Sequence, residues 1–318
     1  MARKLSPAQE AERSLITSYR KDIWNKFVMG LKRYNMLDDG DRLAVCVSGG
    51  ADSVMMAKLI QHLQKYSDRS FEAEYICAVS DKNEEQSADI IRLSEIIGVQ
   101  LQIFPFSHSE DSISVSDYKA YMENALMKKA NELHCNKIAF ADSFDDIIEF
   151  ILSGMLYEAH IETKLPKLHD SEYDIDIIRP VCMVKEHDIV RWDNYCHSAG
   201  VEFADEISLI AASCEESSVN NFISRRSYIK DLISLFRRTN PNIENNIFKS
   251  VYNVNLRTIV GWSKGGKRFS FLDDYASDFP GCDDGEDSFD EIFEQVNGYV
   301  LKKDKNAPSK ADARTDKR

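Results

Sequence analysis

Ser48-Gly49-Gly50-Ala51-Asp52-Ser53 is the stretch whose residue types and spacing best suit chemistry. Adjacent glycines let the backbone turn tightly and approach a ligand, and the two serines add hydroxyl donors. Before it, Leu43 to Val47 is a short apolar run fit for a buried parallel strand. After it, Val54, Met55, Ala57, Leu59, Ile60 and Leu63 recur at helical spacing. A strand that turns through glycines into a helix offers amides and the positive end of the helix dipole to an anion. The stretch therefore reads as a phosphate site. It is neither the nucleotide P-loop, which needs a lysine after its last glycine, nor the dinucleotide fingerprint, whose glycines are spaced rather than adjacent. Asp52 suits either a divalent cation or the cap of the helix that follows.

A second group lies past a later strand. Asp145 and Asp146 are adjacent, with Glu149 one turn on. Neighbouring carboxylates repel, so they suit Mg²⁺ held jointly with Asp52; a first-turn acidic cluster favouring the helix dipole is the alternative. Arg179, at another strand end, is placed to clamp a phosphate or a carboxylate, or to form a surface ion pair. Arg226, Lys230 and Arg237 fall in one narrow sector of a long helix, which suits either an RNA backbone or a solvated face. His160, Lys164 and Lys167 admit the same two readings.

Strands are expected at 42–47, 71–79, 99–106, 137–141 and 177–184, alternating with helices at 54–65, 85–97, around 122–133, after 146 and at 186–199. That alternation predicts an α/β fold with a doubly wound, mainly parallel, five-stranded sheet, whose ligands sit beyond the carboxyl ends of the strands. The loop at 48–53, the polar stretch 80–83 and residues 141–146 converge there, adding Ser80 and Ala141 to the nucleotide-site candidates. Residues 1–40 read as an N-terminal helical extension, with apolar spacing over 8–37. Residues 41–203 form the nucleotide-binding domain, and 204–266 a helical C-terminal region with helices over 217–238 and after Pro241. Residues 267–318 form an acidic, then mixed-charge tail, largely disordered over 280–318 with room for a short helix at 288–300.

A net charge of −13 argues against a generally basic nucleic-acid binder, although much of the excess lies between Asp273 and Glu294. No run of about eighteen apolar residues is present, so no membrane span is expected, and the polar N-terminus lacks a signal core. The seven cysteines are scattered and read as reduced thiols of a cytoplasmic protein.

From about Lys26 to Tyr252 the chain resembles the tRNA 2-thiocytidine synthetases, a branch of the PP-loop ATP pyrophosphatases that also includes the tRNA(Ile)-lysidine synthetases. The resemblance rests on Arg33-Tyr-Asn-Met-Leu-Asp-Asp-Gly-Asp-Arg-Leu-Ala-Val-Cys-Val-Ser-Gly-Gly, Lys137-Ile-Ala-Phe, Asp145-Asp-Ile, Leu165-Pro-Lys-Leu, and Ile178-Arg-Pro-Val with Lys185-Glu-His-Asp-Ile. It implies an adenine nucleotide α-hydrolase-like fold, with ATP and Mg²⁺ as cofactors and tRNA and a second copy of the chain as partners. It further implies adenylation of a base carbonyl with release of pyrophosphate, then replacement of AMP by a nucleophile. Ser48, Gly49, Gly50, Ala51, Asp52, Ser53, Ser80, Ala141 and Arg179 would then surround ATP, and Asp52, Asp145 and Asp146 would be catalytic and metal-binding.

The sequence departs from that family in three places. Sulfur-transferring members hold an iron–sulfur cluster on a Cys-x-x-Cys pair and a third cysteine; here Val115-Ser-Asp-Tyr118 stands at the pair, and only Cys214 lies near the third position. A loop lysine is replaced by Ala51, and two histidines before the aspartates by Asp142 and Ser143. Glu149 keeps the family's Asp-Asp-x-x-Glu spacing. The expectation is an ATP-dependent tRNA base-modifying enzyme without a cluster, served by a sulfur or amine donor protein. Two alternatives stand beside it: adenylation of a small molecule, and a catalytically lapsed homologue that binds nucleotide or RNA.

Overall fold

Leu43 to Val47 is apolar throughout because both faces of its strand are covered. In the computed structural model, which describes residues 5–81, 84–107, 113–204, 210–211, 214–264 and 266–273, this run is β1 (Arg42–Cys46). Leu43 and Val45 pack with Val54, Met55, Leu59 and Ile60 of α3 (Ala51–Tyr66) on one face. Ala44 and Cys46 pack with Ile76, Tyr118 and Ile138 on the other.

Around β1 the sheet adds β2 (Glu72–Ser80), β3 (Leu101–Phe106), β4 (Lys137–Ala139), β5 (Lys167–Asp170) and β6 (Ile175–Ile178), in the order β3-β2-β1-β4-β6-β5. Five strands are parallel, as the alternation predicts; β5 adds an antiparallel edge, pairing Lys167 with Ile178 and Asp170 with Ile175. The fifth expected strand, 177–184, stops at Ile178 because Arg179 and Pro180 turn the chain away. The edge strand is short and polar, so no apolar run announces it. At the other edge, Pro105 of β3 stands in register with Val79.

With α3, the helices α4 (Glu84–Ile97), α5 (Val115–Glu132) and α6 (Phe144–Tyr157) connect successive strands, and α7 (Glu186–Ser198) follows the last of them. The order reverses between β1 and β4, so a crevice opens beyond their carboxyl ends, where open α/β sheets bind ligands.

The N-terminal helical extension is broken rather than continuous. α1 (Pro7–Ile16) starts on a capping box of Ser6 and Gln9. It ends where the Thr17 hydroxyl bonds the Arg13 carbonyl and the Tyr19 amide reaches back five residues to Ser14. A π-helical turn (Arg20–Trp24) leads into α2 (Asn25–Arg33). Gly30 lets α2 approach the segment after β6, since a Cβ there would lie 3.2 Å from the Pro180 carbonyl oxygen. Trp192, fully buried, donates to Ser14 Oγ at 3.1 Å and fixes α1 against α7.

Two helices follow, α8 (Glu216–Thr239) and α9 (Ile243–Ser250). The chain divides into two units, Met1–Asn253 and Val254–Arg318; α8 and α9 belong to the first. The second carries an antiparallel hairpin of β7 (Gly261–Lys264) and β8 (Lys267–Ser270) with Trp262 stacked on Phe269. The expected disorder over 280–318 and the short helix at 288–300 lie outside the described residues.

Candidate nucleotide site

The loop between β1 and α3 is held by its own serines. Ser53, buried in the first turn of α3, accepts from the Ser48 amide and from Ser48 Oγ, both at 3.1 Å, and donates to the Gly50 carbonyl at 2.9 Å. Gly49 takes φ +98°, a left-handed conformation that a Cβ would strain, and its carbonyl accepts from the Ala204 amide at 3.0 Å. Gly50 is the cap residue of α3 and bears no side-chain cap, and the start of a helix presents backbone amides and the positive end of its dipole to an anion. The Asp52 carboxylate folds back over Gly50: a Cβ added there would lie 2.9 Å from its Oδ1. Ala51 is half-buried at the start of α3.

Ser80 closes β2 with its side chain buried, beside a cavity of about 350 Å³ lined by Val79, Asp81, Ser87, Ile103 and Pro105. Ala141 lies past the end of β4, and Asp142 follows it. Arg179, read from sequence as a clamp for a phosphate or a carboxylate, is engaged by a carboxylate of the chain itself. Its Nε donates to Asp142 Oδ2 at 2.7 Å and its Nη1 to the Leu165 carbonyl at 2.7 Å, while Lys164 bonds the other Asp142 oxygen. Burial opposes ionisation of Asp142, but the two cations prevail and hold its carboxyl below the usual range.

Asp145 and Asp146 are turned to structural partners. Asp146 completes a capping box with Ser143, accepting from the Ser143 amide at 2.9 Å and from its hydroxyl at 2.7 Å. Asp145 accepts from the Glu186 amide at 2.7 Å. Burial, with Glu244, Glu186 and Asp146 nearby, pushes Asp145 up despite that amide. Among the described residues no cluster of three metal-ligating side chains forms, so Asp52, Asp145 and Asp146 are not gathered around one ion position.

The basic sector of α8 faces these acids. Arg226 Nε donates to Glu149 Oε2 at 2.9 Å and its Nη2 to Asp146 Oδ1 at 3.0 Å. Lys230 meets Glu186 at 2.5 Å and Glu149 at 3.6 Å, and Arg237 pairs with Glu244 and, at 3.8 Å, with Asp145. Burial outweighs Arg226 and Lys230 and pushes Glu149 up to about 7. Arg226, Lys230 and Arg237, which the sequence left as an RNA surface or a solvated face, pair α8 with acids of α6, α7 and α9. His160 and Lys167 serve local pairs with Glu158 and Asp176. Sequence reasoning missed the backbone partners, Ala204 and Glu186, whose amides carry no residue-type signal.

No family model matches the chain. It is 31% identical over 176 residues to a tRNA-cytidine(32) 2-sulfurtransferase of Delftia acidovorans, covering 51% of this chain and 54% of that protein. The chain therefore spans about half the length of that relative. It is 28% identical over 230 residues to the protein of the same name from Methylobacillus flagellatus, covering 70% of this chain and 72% of the relative. Among solved structures, the U34-tRNA thiolase NcsA from Methanococcus maripaludis, with its [4Fe-4S] cluster, superposes with a TM-score of 0.57 at 15% identity, over 77% of this chain and 84% of that one. The chain is thus similar to tRNA 2-thiocytidine sulfurtransferases, which are PP-loop ATP pyrophosphatases.

Like those relatives the chain carries the Ser-Gly-Gly loop between β1 and α3, at the point where the strand order reverses. At the corner where sulfur-transferring members of the family would bind a cluster, Val115 and Tyr118 are buried, with Phe106 edge-on to Tyr118 at 5.3 Å. Ile113 bridges to Cys214, whose Sγ lies 4.0 Å from the Ser114 carbonyl. Among the described residues that corner presents the Cys214 thiol, pushed up by burial, and a buried Val115 and Tyr118 where the cysteine pair would stand, which does not fit a cluster held by several thiolates.

Proposed function

We propose that the chain is an ATP-dependent tRNA base-modifying enzyme of the cytoplasm that works without an iron–sulfur cluster. The observation that carries this reading is the Ser48–Ser53 loop, preformed at the sheet's switch point where the backbone amides of the first turn of α3 begin. Those amides and the helix dipole hold the pyrophosphate of ATP. Asp52, folded over Gly50, is the carboxylate suited to Mg²⁺, which commonly binds through one or two carboxylates plus substrate phosphates. When bound, Mg²⁺ neutralises phosphate charge. Ser80 and Ala141 flank the nucleoside, and Arg179 holds the 140–143 segment through Asp142.

In the reaction, a base carbonyl oxygen attacks the α-phosphorus, forming a C–O–P bond as the bond to pyrophosphate breaks. A nucleophile then adds at the carbon and AMP leaves with the oxygen. An amine or sulfide delivered by a donor protein is the nucleophile, and a homodimer is the working assembly. Cytidine 32 is the first base to test, given the names of the relatives.

A second reading, a nucleotide- or RNA-binding subunit that has lost turnover, is favoured by Ala51 and by the engagement of Asp145 and Asp146 with the chain's own groups. Release of AMP and pyrophosphate from ATP, with and without bulk tRNA, separates the two. Products that appear only with tRNA support the enzyme. ATP binding without turnover supports the subunit, and ADP as product excludes both adenylation and a lapsed role. A purified protein with the brown colour of an iron–sulfur centre would overturn the cluster-free part.

A further inference from the structure

The π-helical turn and α2 carry a basic groove that the candidate nucleotide site does not use. Arg20, Trp24, Val28 and Lys32 recur every fourth residue and form one ridge; Met29 and Arg33 line the adjoining side of a cavity of about 650 Å³. No carboxylate lines it. Between positions 20 and 33 the sequence holds five cations (Arg20, Lys21, Lys26, Lys32, Arg33) against one carboxylate, Asp22, in a chain whose net charge is −13. Asp22 is drawn away to Arg191 at 3.5 Å. Arg20, Lys32 and Arg33 are exposed and take part in no ion pair among the described residues, whereas Arg226, Lys230 and Arg237 of α8 are matched to acids. Trp24, half-buried, is fixed by His62 edge-on at 5.1 Å and by Phe27 at 5.7 Å.

From this juxtaposition of unmatched cations and an anchored indole, we infer that the groove docks RNA, with Arg20, Lys32 and Arg33 on backbone phosphates and Trp24 offering its ring to an unstacked base. Phosphate charge supplies affinity to such a surface, and single-stranded bases stack on aromatic side chains. An acidic peptide would match the cations but would leave the ring unused. The groove is tied to the catalytic end of the sheet by two contacts. Gly30 packs α2 against Pro180, beside Arg179, and Lys167 of β5 donates to the Asn35 carbonyl at 3.1 Å. The inference rests on the tRNA reading for the identity of the RNA.

The test is binding of bulk tRNA to the full chain, by fluorescence anisotropy across 50–200 mM salt, for wild type and for Arg20→Ala/Lys32→Ala/Arg33→Ala. Each lost phosphate contact lowers the slope of log affinity against log salt by about 0.7–0.9, so the triple variant should lose about 2–3 from the slope. Its ATP affinity and thermal midpoint should be unchanged. Trp24→Leu should weaken binding with the slope unchanged, because stacking carries no counterion release. A triple variant with the wild-type slope overturns the inference, as does a wild type that binds a polyglutamate peptide and not tRNA. Binding through the groove without pyrophosphate release would sink the adenylation reading alone. TRNA-dependent pyrophosphate release with an unaltered slope would sink the groove alone.

Discussion

Replacing Arg226 by Met asks whether that arginine is a strut or an RNA contact. Its guanidinium spans Glu149 and Asp146 at 2.9 and 3.0 Å and is about a quarter exposed, at 27%. Removing one partner of a fully buried charge pair costs about 3–5 kcal/mol. The partial exposure, and Lys230 remaining 3.6 Å from Glu149, reduce this to about 2–3 kcal/mol. At roughly 2–4 °C per kcal/mol for a unit of this size, the thermal midpoint should fall by about 4–12 °C. The loss should depend on pH. Burial pushes Glu149 up to about 7 in the folded chain from an ordinary 4.5, so its favourable contribution is complete below that lower value and fades as pH rises through about 7. Without Arg226 the folded pKa rises further, so the deficit should widen from pH 6 to pH 8. Thermal and urea melts at those pH values measure it. An unchanged midpoint together with a tenfold loss of tRNA affinity would refute the strut and make Arg226 an RNA contact.

Four further changes probe the loop and its supports. Asp52→Ala should abolish Mg²⁺-ATP binding in calorimetric titration; unchanged affinity would mean that the carboxylate only shapes the helix start. Ser53→Ala strips the Ser48 amide of its acceptor and should cost about 1–2 kcal/mol in urea melts while weakening ATP, whereas no change in either would show that the loop holds itself. Asp142→Asn should lower the midpoint at pH 7, because a depressed carboxyl stabilises above its unfolded pKa of about 3.9 and loses that effect as pH falls through the folded value. The gap should therefore close in acid, and a gap constant down to pH 3 would contradict the ion triad. Gly30→Leu forces a side chain against the Pro180 carbonyl and should cost about 1–3 kcal/mol, readable as a lower midpoint; a wild-type midpoint would deny the close approach.

The parallel sheet was legible because β1 to β4 are apolar runs alternating with helical periodicity, and the loop because two glycines between such elements leave few other readings. β5 escaped because an edge strand of Lys167, Leu168, His169 and Asp170 pairs through its backbone and carries little apolar pattern. The α8 cations were visible as a sector, but a sequence shows charges without their partners, and the acids of α6 lie about 80 positions earlier. Likewise Asp142, which stands where the family has a histidine, is met by Lys164 and Arg179, which only folding brings to it. The N-terminal break at Thr17 to Tyr19 depends on hydroxyl and i−5 amide bonds that periodicity does not register.

The two ends of the sheet have a consequence for solubility. Edge strands invite pairing with another chain, and proteins blunt them with proline, charge or brevity. β3 carries Pro105, which has no amide to give to a newcomer. β5 spans four residues and ends on Asp170, with Lys167 and His169 engaged by Asp176. Neither margin is a template for strand addition. An unmodified Pro105→Val change would restore a donor at one margin, so it should raise the tendency to aggregate before it alters the loop that receives phosphate.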